Sequence, residues 1–295
     1  MRISAVLALG GAGLAAAQGG TPGDFDLYVF AQSWQPTFCF GMEASYPGCD
    51  APTPWMKENF TIHGLWPQYA PARNGSDYPA TCAGEAFDVA QIDVANGGPG
   101  MEAMVAYWPN VKAAPTPAAT YDGFWEHEWT KHGTCTGLKQ GAYYSTVLSM
   151  LWAMPTPDII RSNVGQSGSA DNIRKAYGGA SKVSLACTGT GGSVLSAALT
   201  CWAVDKASHA PSAAQVACPK SVLAEDNCVA PTITIDAFVK PPKPGTPTPA
   251  PVPTPAVNKC VPFVHGPACT ADAECLKVPG CVRCAASGFC TTQPK

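Results

Sequence analysis

The stretch "FWEHEWTKHGTC", residues 124–135, gathers two histidines, two glutamates and a lysine, in a chain of 295 residues with only five histidines. Three readings compete: a metal site, an acid–base site, and a solvated charged helix. Projected as a helix at 100° per residue, His127, Lys131, Phe124, Cys135, Glu128 and His132 fall within an arc of about 140°, with Trp129 and Thr130 outside it. Every charged group except Glu126 thus shares a face with an aromatic ring and a cysteine. A solvated helix would keep ionisable and apolar groups on opposite sides. A zinc peptidase helix needs H-E-x-x-H. Here the histidines are five apart and Lys131 stands where the second ligand would be, so no metal is expected. Acid–base chemistry fits better, because histidine exchanges its proton near neutral or mildly acidic pH. Glu128 and Lys131, three apart, can pair on one face, and Lys131 can offset anionic charge developing in a transition state.

Proton transfer of this kind usually needs a second group, and only His63, His209 and His265 remain. His63 lies in "FTIHGLWPQY" (60–69). The segment "NFTIHGLW" (59–66) reads as a strand ending at Gly64, with Phe60 and Ile62 toward the core and His63 on the other side. A lone histidine at a strand end is ordinarily structural. This one is followed by Trp66, whose ring, if exposed, offers a base or sugar a stacking surface. His209 sits in a loop-like stretch and His265 in the tail, neither with comparable company.

The chain opens with "MRISAVLALGGAGLAAAQGG". Arg2, a short apolar run and Ala15-Ala16-Ala17 read as a secretory signal over residues 1–17, cleaved near Gln18. No later stretch is long and apolar enough for a membrane anchor, so no membrane partner is expected. All fourteen cysteines follow the signal, eight from Cys39 to Cys228 and six from Cys260 to Cys290. An even count in an oxidising compartment points to disulfides. Asn59-Phe60-Thr61 and Asn74-Gly75-Ser76 are N-glycosylation acceptors, the second in the more turn-like setting. Residues 18–239 carry eleven basic and nineteen acidic side chains, a balance of −8, whereas 240–295 carry six and two, a balance of +4. The main body therefore does not attract polyanions by bulk charge, and any nucleic acid must be handled by a local site.

"PPKPGTPTPAPVPTPA" (241–256) is an extended, semi-rigid linker. It separates a body (18–240) from a small module (257–295) whose stability must come from disulfides. Cys281-x-x-Cys284 imitates half a zinc site, but a secreted disulfide scaffold is the better reading. In the body, "FDLYVFAQSW" (25–34) reads as a strand with Phe25, Leu27, Val29 and Ala31 on one face and Tyr28, Phe30, Gln32 and Trp34 on the other. "MEAMVAYW" (101–108) and "AYYSTVLSMLWAM" (142–154) read as helices. "VSLAC" (183–187), the ambiguous "VLSAALTCWAV" (194–204) and "TITIDAF" (232–238) read as late strands. Strands and helices without regular alternation predict an α+β fold, a central antiparallel sheet flanked by helices.

Together "FTIHGLWPQY" and "FWEHEWTKHGTC" resemble the two active-site segments of the ribonuclease T2 family of secreted acid ribonucleases, and "FDLYVFAQSW" resembles that family's opening strand. The resemblance covers roughly residues 24–238 and not the tail. It implies a metal-independent, cofactor-free endoribonuclease acting on single-stranded RNA, with His63 as general acid, His132 as general base and His127 contacting phosphate. It implies that Glu128 and Lys131 support the pentacovalent phosphorane and that Trp66 and Phe124 hold bases. It also implies the pairs Cys39–Cys49, Cys82–Cys135, Cys187–Cys228 and Cys201–Cys218. A further bridge of plant members lacks both its cysteines here, in "YPGCDAP" and "WPNVKAAPT". The rival expectation is a secreted binding or storage protein that has kept the scaffold without catalysis; such a protein is free to lose a histidine or Lys131, and all are present. The expected state is a monomer, either extracellular or in a vacuole-like compartment. The module is expected to take a cell-wall or carbohydrate ligand, against the plainer reading of a protease-resistant spacer.

Overall fold

The computed structural model describes residues 19–114, 121–238, 272–277, 281, 283–284 and 290–291. The signal (1–17), the linker (241–256) and most of the module lie outside them. The chain divides into two compact units, Met1–Pro241 and Pro242–Lys295.

In the first unit the strands are β1 (Leu27–Ser33), β2 (Thr61–Gln68), β3 (Gln166–Ser169), β4 (Val183–Thr188), β5 (Val194–Val204), β6 (Pro211–Gln215) and β7 (Thr232–Ile235). The helices are α1 (Gln35–Phe38), α2 (Pro47–Asp50), α3 (Met101–Tyr107), α4 (Gly123–Lys131), α5 (Gln140–Ala153), α6 (Asp158–Arg161), α7 (Ala170–Ala176) and α8 (Lys220–Leu223). All seven strands form one sheet with the path β2-β1-β5-β7-β3, while β4 and β6 also pair with β5. Pairing is antiparallel throughout except where Val194 of β5 meets Thr234 of β7. This is the α+β architecture expected. The ambiguous segment 194–204 is β5, the longest strand, and a partner of β1, β4, β6 and β7.

β1 is buried on both faces because it sits inside the sheet. Tyr28 and Phe30 enter the larger apolar cluster with α4 and α5, while Leu27, Val29 and Ala31 enter a smaller one beside α8. Phe25 departs from the expected alternation: it precedes the strand and packs edge-on against Tyr28 at 4.7 Å, in the larger cluster. A second cluster joins Trp34 and Phe60 to α7, β4 and β7.

Two boundaries differ from the sequence reading. β2 does not stop at Gly64 but runs on to Gln68, through Pro67. Proline cannot donate to a ladder and is tolerated on a sheet edge, and β2 begins the strand path. The helix expected over 124–135 ends at Lys131, and Gly133–Cys135 forms a single 3₁₀ turn. The Lys131 carbonyl accepts the Thr81 N–H at 2.9 Å, which uses a group that a longer helix would need.

The four disulfides of this unit are Cys39–Cys49, Cys82–Cys135, Cys187–Cys228 and Cys201–Cys218, the pairs implied by the resemblance. In the second unit, α9 (Asp272–Cys275) is followed by the antiparallel pair β8 (Arg283–Cys284) and β9 (Cys290–Thr291); Cys275 and Cys281 are disulfide-bonded. No helix among the described residues is long and apolar enough to cross a membrane.

The Cys82–Cys135 bridge closes a separation of 53 residues and ties the loop before residue 85 to the end of the 124–135 segment. Replacing both cysteines by alanine should cost about 4 kcal/mol, read as a lowered denaturation midpoint, with the other three bridges intact by mass spectrometry.

Candidate active site

The site is built where β2 departs from regular pairing with β1. Gln32 faces Ile62 and Ala31 faces Gly64, so His63 is an extra residue with no partner across the ladder. Such a β-bulge bends its strand and re-aims the extra side chain. Its effect is visible on both sides. Ile62 and Leu65, an odd number apart, enter the same apolar cluster, and His63 meets the ring of Trp66 edge-on at 5.1 Å. Strict alternation would put His63 and Trp66 on opposite faces.

α4 supplies the other wall. Trp125 and Trp129 face the core, which fixes the helix's rotation and turns Glu128 inward, 1% exposed at its side chain. Glu128 Oε2 accepts the indole N–H of Trp66 at 2.8 Å, and Oε1 lies 3.6 Å from His63 Nε2. Gly64 makes this approach feasible, since a Cβ there would collide with Glu128 Oε2 and Trp66 Nε1. The helix stops at Lys131, so His132 is presented from a cap position (φ −115°) rather than from the helical face. Its ring stacks on Trp66 with centroids 5.2 Å apart and planes 26° from parallel. The two imidazoles therefore flank one indole. Phe124 lies 5.6 Å from the His63 ring.

Several expectations need correction. Trp66 is half-buried, with His132, His63 and Glu128 around it, rather than an open platform. Glu128 pairs with His63 and not with Lys131, because the helix rotation that buries Trp125 and Trp129 takes the carboxylate into the sheet edge. Lys131 Nζ instead lies 5.8 Å over the ring of Tyr78. His127 is exposed, close enough to His63 and His132 to lower the ionisation of both, and is itself lowered by partial burial and then by Lys131. Tyr78, whose ring also lies 6.1 Å from His132, escaped the sequence reading. It belongs to a loop without periodicity, and nothing local marks it.

Burial dominates the electrostatics. Desolvation, then the positive charges of His127 and Lys131, brings His63 down to about 4, although 30% of its side chain stays open. Burial pushes Glu128 up to about 8, against the opposing pull of the Trp66 hydrogen bond and Lys131. His132 is held well below the ordinary histidine range by burial, then by Lys131, His63 and His127. Between about pH 4 and 8, His63 and Glu128 hold one proton between them. Its lowered ionisation keeps His132 a neutral base near neutral pH, and its buried Nδ1 has no hydrogen-bond partner among the described residues. A donor and an acceptor of protons thus stand on two sides of one ring, with a lysine at the rim.

The ribonuclease T2 family matches residues 25–209 of the chain, a span that contains every residue of this site. The chain belongs to the ribonuclease T2 family. Among curated members, intracellular ribonuclease LX of Solanum lycopersicum is 34% identical over 129 residues, 43% of this chain and 48% of that protein. Extracellular ribonuclease LE of the same plant is 32% identical over 132 residues, 43% and 50% respectively. The match spans about half the length of these T2 relatives, whose names place them on both sides of the cell boundary. The structure of ribonuclease MC1 from bitter gourd seeds superposes on 71% of this chain and all of its own, with a TM-score of 0.51 and 25% identity.

Two outcomes follow from the packing around Glu128. Gly64→Ala should change the tryptophan fluorescence while far-ultraviolet circular dichroism stays native-like, because the new methyl displaces the carboxylate from the Trp66 indole. Glu128→Gln should be more heat-stable than the parent at pH 8, with the advantage vanishing near pH 4.5. A carboxyl whose folded-state pKa lies above its unfolded value binds more protons in the native state, so stability drains away as pH rises between the two. An equal advantage at both pH values would contradict the assignment of Glu128 as a buried, protonated acid.

Proposed function

We propose that the protein is a secreted, metal-independent endoribonuclease that cleaves single-stranded RNA by transphosphorylation through a 2′,3′-cyclic phosphate. The observation that carries this reading is the indole of Trp66 with His63 on its edge and His132 on its face, above a buried carboxyl. Membership of the ribonuclease T2 family supports it.

His132, neutral and desolvated, takes the proton of the ribose 2′-hydroxyl. The freed oxygen attacks phosphorus, and the bond to the 5′-oxygen breaks as His63 delivers a proton to it. Glu128 backs His63 and keeps a proton at that wall of the site. Lys131 and His127 offset charge on the non-bridging oxygens as the phosphorane forms. Trp66 and Phe124 hold the flanking bases, Phe124 beside the acid and Trp66 between the two imidazoles. DNA lacks the 2′-hydroxyl and is not a substrate for this step. The alkaline limb of the rate follows loss of the last proton from the His63–Glu128 pair, near 8. The acid limb follows protonation of His132, well below the ordinary histidine range. The optimum therefore falls on the acid side of neutrality.

In this reading residues 1–17 are a signal removed on secretion, to the cell exterior or a vacuole-like compartment. Residues 18–240 are a monomeric catalytic domain, 241–256 a linker, and 257–295 an accessory module for a cell-wall or carbohydrate ligand. Asn74 is the favoured glycan site: it is exposed in a tight turn, whereas Asn59 directs its amide at the Trp55 carbonyl and is half-buried.

The test is cleavage of single-stranded RNA in excess chelator by the protein and its His63→Ala and His132→Ala variants. Each loss should lower kcat about 10²- to 10⁴-fold, and the parent should release cyclic phosphate. Near-full cleavage by either variant would overturn the assignment, and loss of all activity on chelation would overturn the metal independence. Lys131→Ala should lower kcat more than it raises KM.

A further inference from the structure

The structure assigns Trp108 as a positioning residue for the reaction: its indole N–H holds the carbonyl of His63 and thereby fixes the β-bulge that aims the imidazole at the scissile phosphate. This rests on the reading of His63 as the general acid. Trp108 touches neither substrate nor reacting atoms in that reading.

His63 has no residue facing it on β1, so its peptide group lies outside the regular ladder. A buried carbonyl without a partner is costly. The His63 carbonyl accepts instead from Trp108 Nε1 at 2.9 Å, across 45 residues of sequence. Trp108 follows the last turn of α3 and is fully buried. It is in turn held in place. Its own carbonyl accepts Trp125 Nε1–H of α4 at 2.8 Å, and the Trp125 carbonyl accepts the Tyr144 hydroxyl of α5 at 3.0 Å. On the other side of Gly64, the Leu65 carbonyl accepts the Tyr143 hydroxyl at 3.3 Å. The carbonyls of His63 and Leu65, on either side of Gly64, thus both accept from buried aromatic donors, at the end of α3 and on α5.

A side chain of the same volume without the N–H would fill the space but orphan the His63 carbonyl. The cheapest repair is a shift of β2 toward regular pairing, and a one-residue slip carries side chains to the opposite face. His63 would then leave Glu128 Oε1, now 3.6 Å away, and the ring of Phe124. The charged and titratable groups facing His63 are Glu128, His127 and Lys131 of α4 and, beyond its end, His132. Below about pH 8 the proton shared by His63 and Glu128 rests on the buried carboxyl, so separating the two leaves the imidazole to its own lowered ionisation and the acid's proton is lost at lower pH.

The test compares the full-length protein with its Trp108→Phe variant on single-stranded RNA across pH. A second variant carries β-(3-benzothienyl)alanine at position 108, which keeps the shape of the indole and replaces N–H by sulfur. The expected result is a fall in kcat of about 10- to 100-fold, the cost of a misplacement near 1 Å. KM should be nearly unchanged, and the alkaline limb of kcat should move to lower pH. Ile173→Val, in the separate cluster around α7, should lower the melting temperature while leaving kcat and the limb in place. If Trp108→Phe fails to fold, the benzothienyl variant gives the same reading. A parental kcat and alkaline limb in a folded position-108 variant, with His63→Ala inactive, would overturn the positioning role and leave the ribonuclease reading standing. Equal changes in Ile173→Val would overturn it too, as would an active His63→Ala, which would also sink the ribonuclease reading.

Discussion

A carboxylic acid enclosed between a helix and the bulged edge of a sheet is the constraint on which the site depends. Glu128 is removed from water by the packing of Trp125 and Trp129 into the core on its own helix. An isolated carboxylate in such a place is costly, and it survives by staying protonated or by finding donors. It stays protonated and finds one donor, the Trp66 indole, with the His63 imidazole 3.6 Å away, both on β2. The strand can bring both only because it carries one residue too many at His63 and no side chain at Gly64. Bulge, glycine, indole and carboxyl form one arrangement, and changing any of them alters the surroundings in which Glu128 and His63 ionise.

The edge position of β2 is what makes this arrangement possible. An interior strand has both ladders filled, whereas β2 pairs with β1 alone. The same position tolerates Pro67 and leaves the His63 carbonyl to a side-chain donor. Aromatic residues with a polar handle recur here for a physical reason. Trp108, Trp125, Tyr143 and Tyr144 each fill core volume and also donate a hydrogen bond to a backbone carbonyl.

The interval of five residues between His127 and His132 acquires a meaning in this setting. It is wrong for two ligands on one helical face, and the structure does not place the two histidines on one helix. α4 closes at Lys131, where Thr81 takes a carbonyl, and the Cys82–Cys135 bridge secures the turn beyond. His132 is thereby swung onto the face of Trp66, while His127 stays on α4 and exposed. The lowered basicity of His132 comes from this enclosure first and from the neighbouring cations second.

Much of the outline was legible in the residues themselves. Alternation in 25–34 marked a strand, and the apolar runs at 101–108 and 142–154 marked helices, because these patterns report which faces meet the core. The crowding of ionisable groups with aromatics in 124–135, and His63 before Gly64, singled out the candidate site, because buried chemistry needs those residue types near apolar surface. The bulge at His63, the helix end at Lys131, the turn of Glu128 toward His63 rather than Lys131, and the parts taken by Tyr78 and Trp108 belonged to the tertiary structure alone. Each depends on a partner tens of residues away filling a hydrogen bond or a volume, and a local pattern holds no record of which distant group will do so.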